Sequence, residues 1–118
     1  MSLRLLLLGL AALAGLAGTA SAHALVTESE PAAAVSLDSP PREVTLRFNS
    51  RIDPERSRLV LVGPEGAQLP LSATAPDPAT LAAPCPAIGP GAWRIRWQVL
   101  AVDGHITRGD IPFTVMPH

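Results

Sequence analysis

The sequence predicts an all-β protein, an antiparallel β-sandwich of Greek-key type. Three observations carry that expectation. Short segments alternate apolar and polar residues with a period of two, proline and glycine punctuate the gaps between them, and no window shows the helical spacing of an amphipathic α-helix. Thirteen prolines in 118 residues strengthen the third point, because proline interrupts both helices and central strands.

In chain order, the first segment is not part of the fold. Arg4 supplies a positive charge, Leu5 to Leu16 is an apolar run broken only by Gly9 and Gly15, and Ala20-Ser21-Ala22 has the small-x-small form of a signal peptidase site. Residues 1–22 therefore read as a signal peptide and residues 23–118 as one mature domain, beginning at His23. An uncleaved anchor is the alternative, since Leu5 to Ala22 is almost long enough to span a bilayer. Export places the domain in the periplasm or an equivalent space. Cleavage also has a chemical consequence: it turns the backbone amide of residue 23 into a free α-amine, a far better metal donor.

The mature chain then supplies its strands. His23 to Thr27 can form a first one. Glu43 to Phe48 alternates, with Val44, Leu46 and Phe48 on the apolar face. Arg58 to Val62 is a short β-branched run ended by Gly63-Pro64. Pro70, Pro76, Pro78, Pro84, Pro86 and Pro90 break up the next stretch, which reads as loop with one weak strand. Trp93 to Val99 is the cleanest period-two segment. It turns Trp93, Ile95, Trp97 and Val99 inward and Arg94, Arg96 and Gln98 to water. Asp110 to Val115 alternates again, and Pro112, which lacks a donor, marks an edge or a non-bonded position of the ladder. Phe48, Trp93, Trp97 and Phe113 are the only aromatics, and all fall on apolar faces. None is left for a platform on which bases or sugars stack.

Composition excludes several function classes. The net charge of −1 leaves no electrostatic footprint for nucleic acid or an anionic membrane surface. One cysteine excludes an intrachain disulfide framework and a thiolate zinc cluster. The domain is too short for a Rossmann or P-loop enzyme, and neither glycine fingerprint occurs. Cys85, between two prolines and far from any histidine in sequence, reads as an inert, partly buried thiol. A blue-copper centre would need a cysteine with two histidines close by.

The chemistry rests on histidines. There are three: His23, His105 and His118, the last being the final residue. An N-terminal histidine offers its α-amine and Nδ1 to one metal, closing a six-membered chelate ring. A second imidazole from His105 would complete a T-shaped set of three nitrogens. Nitrogen donors in a tetragonal plane suit Cu(II), which stands at the top of the divalent affinity order. Asp103 lies two residues before His105, on the same face of an extended chain. Its carboxylate could ligate the ion or orient the imidazole. Gly104 permits a tight turn between them. Each part has a plainer reading: Asp-Gly is usually a turn, and a lone histidine is usually not a ligand. Two histidines and a carboxylate would also serve zinc.

His23 to Ala32 resembles the mature N-terminus of CopC-type copper-binding proteins, Val44 to Phe48 resembles their V-x-L-x-F strand, and Gly91 to His105 resembles the family signature that ends in D-G-H. Gly109 to Val115 is similar to the closing strand. The resemblance implies a periplasmic, cupredoxin-like sandwich, a monomer holding one Cu(II) through His23, Asp103 and His105. It also implies a role in copper buffering or resistance, or delivery to a CopD-type inner-membrane importer. The chain departs from the family pattern at Trp93, where a tyrosine is usual, and at Ala101, where a serine is usual. The glutamate that some members carry after the V-x-L-x-F strand has no counterpart among Asn49, Ser50 and Arg51. With Met116 the only methionine after the leader, a methionine-rich Cu(I) site is not expected. Copper affinity should weaken as pH drops, since an amine, ordinarily titrating near ~7.7–8.0, and imidazoles must lose protons to bind. The expectation is a carrier and not an enzyme. The rivals are a histidine-brace copper oxygenase and a metal-free Ig-like interaction module.

Overall fold

The structure, a computed structural model, describes residues 24–117. The signal-peptide reading and His23 lie outside the described residues, as does His118. Among the described residues there are strands and turns and no helix. The strands are β1 (Val26–Glu30), β2 (Val35–Leu37), β3 (Glu43–Phe48), β4 (Ile52–Val62), β5 (Gln68–Pro70), β6 (Thr74–Asp77), β7 (Thr80–Pro84), β8 (Gly91–Ala101) and β9 (Ile106–Val115). They form two sheets, ordered β1-β3-β7-β6 and β2-β9-β8-β4-β5. The expected antiparallel sandwich is what forms, with one parallel pairing in it, β2 against β9.

The core lies between the sheets and is filled by the inward faces read from the alternation. Val44, Leu46 and Phe48 of β3 are buried, as are Trp93, Ile95, Trp97 and Val99 of β8 and Ile111, Phe113 and Val115 of β9. Phe48 and Trp97 meet across the two layers edge to face, with centroids 5.4 Å apart and an interplanar angle of 70°. Trp97 also faces Gly109, its partner on β9. A Cβ at residue 109 would stand 2.6 Å from the indole ring, so only glycine lets the ring lie this close to the neighbouring backbone. On the outer face, Arg94 and Arg96 are exposed and share the carboxylate of Asp110, the solvated strand face expected of them.

Pro112 illustrates how the sheet tolerates proline. Its carbonyl accepts from Ala34 N–H at 2.7 Å, on the side away from β8. Nitrogen and carbonyl of one residue point to the same side of a strand. The missing donor therefore falls at a position where β8 asks for none.

The proline-rich stretch departs from expectation. It contains three strands, not loop with one weak strand, and β7 lies inside its sheet between β3 and β6. Thr80 to Ala83 are all buried, so the period-two signal that marks a half-exposed strand is absent there. The prolines sit where a ladder can spare them: Pro76 on edge strand β6, Pro70 at the end of edge strand β5, and Pro84 at the end of β7. β4 is also longer than the run from Arg58. It starts at Ile52 and crosses an irregularity between Asp53 and Arg58 that accommodates Pro54. Ser57 closes that gap, its hydroxyl donating to the Asp53 carbonyl at 2.6 Å and accepting from Leu100 N–H at 3.2 Å. The first strand begins at Val26, later than His23. β2 has no counterpart in the sequence expectation, because three residues are too few to show a period.

One end of the sandwich gathers two turns and the first described residues. The β6–β7 turn is tied there to the start of β4 and the end of β3, with Ile52 N–H donating to Pro78 O and Phe48 N–H to Ala79 O. Asp77 shapes that turn. The Ala79 N–H and the Thr80 hydroxyl both donate to its carboxylate and hold its pKa below the usual carboxylate value. Beside this turn lie the first described residues, Ala24 and Leu25, and the hairpin loop joining β8 to β9.

Candidate metal centre

The β8–β9 hairpin pairs residue by residue from Gly91↔Val115 to Leu100↔Ile106, then closes through a tight loop. Ala101 N–H donates to His105 O at 2.9 Å, and Gly104 N–H donates to Ala101 O at 2.9 Å. Gly104 has φ +90°, a conformation that side chains on Cβ disfavour, and this lets the chain reverse between Asp103 and His105.

The reversal brings the two predicted residues together. One oxygen of the Asp103 carboxylate, Oδ1, accepts the His105 backbone N–H at 3.0 Å. The other, Oδ2, lies 3.1 Å from His105 Nδ1. A short acidic side chain bonding the backbone two residues on is the ordinary local device of an Asp turn. Here it also fixes the ring of the same residue. The His105 side chain remains 56% exposed and that of Asp103 29%, so a dissolved ion can reach both.

The 3.1 Å separation admits two chemistries. Nδ1–H can donate to the carboxylate, which sets the tautomer that presents an Nε2 lone pair. Alternatively, both atoms can bind one ion. Two donors at about 2.0–2.2 Å, set at right angles, stand about 3 Å apart. Among the described residues no third His, Cys, Asp or Glu joins this pair. The third predicted ligand, His23, lies outside the described residues. Its neighbour does not: Ala24 is fully buried in the core, and its carbonyl accepts from the Thr107 hydroxyl at 2.7 Å, two residues beyond His105.

Cys85 is at the other end of the sandwich. It follows β7 and donates its N–H to Arg42 O, just before β3, whereas the Asp103–His105 pair adjoins the opposite ends of β3 and β7. The five residues of β7 separate it from that end by about 17 Å. Burial raises its thiol pKa, as fits an unreactive sulfur.

Sequence reasoning passes over two residues at this end, Asn49 and Thr107. Asn49 enters it only as a position where a ligand is missing. Thr107 lies two residues after His105, near the start of β9, a closeness in sequence that could have drawn attention to it.

The family model for the CopC domain matches residues 26–116. The chain belongs to the CopC family. Among curated relatives, protein YobA of Escherichia coli K12 is 32% identical over 98 residues, covering 80% of this chain and 79% of YobA. The YobA of Shigella flexneri matches to the same extent. Among solved structures, CopC from Methylosinus trichosporium OB3b superposes with a TM-score of 0.75 at 28% identity, over 81% of this chain and 96% of that one. PcoC from Escherichia coli, described as a methionine rich copper resistance protein, superposes with a TM-score of 0.64 at 25% identity, over 80% of this chain and 99% of PcoC. This CopC-family chain differs from such a composition: it has two methionines, Met1 and Met116.

Proposed function

We propose that this CopC-family protein is exported to the periplasm, trimmed after Ala22, and binds one Cu(II) per chain as a copper buffer or carrier. The ligands are the α-amine and Nδ1 of His23, the imidazole of His105 and the carboxylate of Asp103. The observation that carries this reading is the Asp103–His105 pair, 3.1 Å apart and half open to solvent, at the end of the sandwich where Thr107 holds the carbonyl of Ala24. A single peptide unit joins Ala24 to residue 23, and consecutive Cα atoms are about 3.8 Å apart. Ala24, the residue after His23, is held beside the strand that follows His105. The copper-resistance description of PcoC supports the choice of metal. So does the donor set, since amine and imidazole nitrogens are the ligands Cu(II) prefers.

The proposed role is carriage. All four aromatics are buried, so no exposed ring remains to hold a polysaccharide. Delivery to a CopD-type inner-membrane importer, by a monomeric protein, completes the proposal and rests on family resemblance.

The test is an added residue. The exported protein, and a variant processed to leave one alanine ahead of His23, are dialysed against Cu(II). The native chain is expected to retain one equivalent, and the extended chain to bind at least about tenfold more weakly, since its amine is displaced from the chelate ring. Equal affinity in the two would exclude the amine from the site, and no stoichiometric copper in either would favour the metal-free module.

A further inference from the structure

The segment just ahead of β1, which the proposed trimming would leave beside the chain start, is tied to both sheets. Termini fray unless something ties them down. Here four attachments act on two successive residues. The Ala24 methyl is fully buried within the core cluster, and the Ala24 carbonyl accepts from the Thr107 hydroxyl at 2.7 Å. Leu25 is bonded on both its backbone groups by one residue. Its N–H donates to Asn49 Oδ1 at 2.8 Å, and its carbonyl accepts from Asn49 N–H at 3.0 Å.

The Asn49 contact has a distinct character. The β1–β3 ladder runs up to Val26↔Phe48, after which β3 ends. The amide oxygen of the Asn49 side chain then takes the place of a main-chain carbonyl and carries the ladder one residue further toward the chain start. Leu25 itself is 57% exposed, so hydrophobic burial of its side chain does not explain why its backbone is fixed. Thr107 acts from the other sheet, on β9, two residues from His105. Asn49 and Thr107 therefore grip the arm from both layers of the sandwich.

We infer that Asn49 and Thr107 are positioning residues for the metal centre: they fix Ala24 and Leu25, so that less of the chain beside residue 23 has to be ordered when the ion binds. This rests on the Cu(II) reading above. An arm that is already ordered loses less freedom when the ion binds, and this raises affinity without adding a ligand. Partners that orient ligands from outside the coordination sphere commonly alter metal affinity by about 10–100-fold.

The experiment compares three variants of the exported protein, Asn49→Ala, Thr107→Val and Thr107→Ser, with the native chain. Thr107→Val keeps the shape and removes the hydroxyl, and Thr107→Ser restores it. In the metal-free state, amide hydrogen exchange at Leu25 is expected to speed up about three- to tenfold in Asn49→Ala, the range one net hydrogen bond corresponds to. Cu(II) affinity is expected to fall about 10–100-fold in Asn49→Ala and Thr107→Val and to stay near native in Thr107→Ser. The valine–serine contrast ties the effect to the hydroxyl that bonds Ala24 O and not to the shape of the side chain. Unchanged exchange at Leu25 in Asn49→Ala would show that the side chain does not hold the arm. Faster exchange with Cu(II) affinity within twofold of native would show that holding the arm does not matter to the metal. Either result overturns the inference while the native chain still binds copper, whereas a native chain without stoichiometric copper overturns the reading beneath it.

Discussion

Replacing His105 with alanine is expected to reduce Cu(II) affinity by more than about 100-fold, the upper end of what loss of an orienting partner costs, because in the proposed site a ligand itself is removed. The fold should survive. The His105 imidazole is half exposed in a hairpin loop, and the contacts that close the loop belong to the backbone: Ala101 N–H to His105 O, and His105 N–H to Asp103. Alanine keeps both backbone groups. Competition titration against a chelator of known strength reads the affinity, and a thermal melt of the metal-free protein reads the fold. An affinity within tenfold of native, with an unchanged melt, would remove His105 from the site. Asp103→Asn probes its partner. A charge-neutral amide cannot replace a carboxylate ligand, but it can still accept the His105 N–H.

The second large effect is expected in the core. Trp97→Ala removes the ring that joins the sheets, faces Phe48 edge to face and lies against the bare backbone of Gly109. Truncating a buried tryptophan costs about 3–5 kcal/mol, and a domain of this size has a total stability of about 5–15 kcal/mol. Gly109 has no side chain with which to fill the space, which favours the upper part of that range. The urea midpoint should fall sharply with the slope of the transition unchanged, since the variant unfolds from the same compact state. A loss below about 1 kcal/mol would mean that the ring is not packed between the layers.

Legibility in the sequence tracks periodicity closely. β3, β8 and β9 can be read because one face of each is buried and the other wet, and the aromatic positions on them lie in the core as the alternation predicts. β7 cannot be read, because Thr80 to Ala83 is buried on both faces and the flanking prolines resemble those of a loop. β2 pairs in parallel with β9 over three residues, a long-range contact that leaves no local pattern. At the candidate centre, the proximity of Asp103 and His105 is legible because a two-residue spacing around glycine implies it, and the turn that unites them is local. Asn49 and Thr107 are not legible in this way. The contacts they make, to Leu25 and to Ala24, join residues 24 and 83 positions apart, and only the folded chain reveals such pairings. The proposed compartment and the proposed first residue of the mature chain rest on the composition of residues 1–22 and its small-x-small site.

The proposed copper site depends most on where the mature chain starts. The most direct measurement combines the intact mass of the exported protein with the EPR spectrum after one equivalent of Cu(II) is added. A chain that begins at His23 and gives a tetragonal Cu(II) signal with hyperfine structure from three nitrogens, simplified in His105→Ala, is the predicted result. A mature chain starting at any other residue, or a spectrum that His105→Ala leaves unaltered, would contradict it.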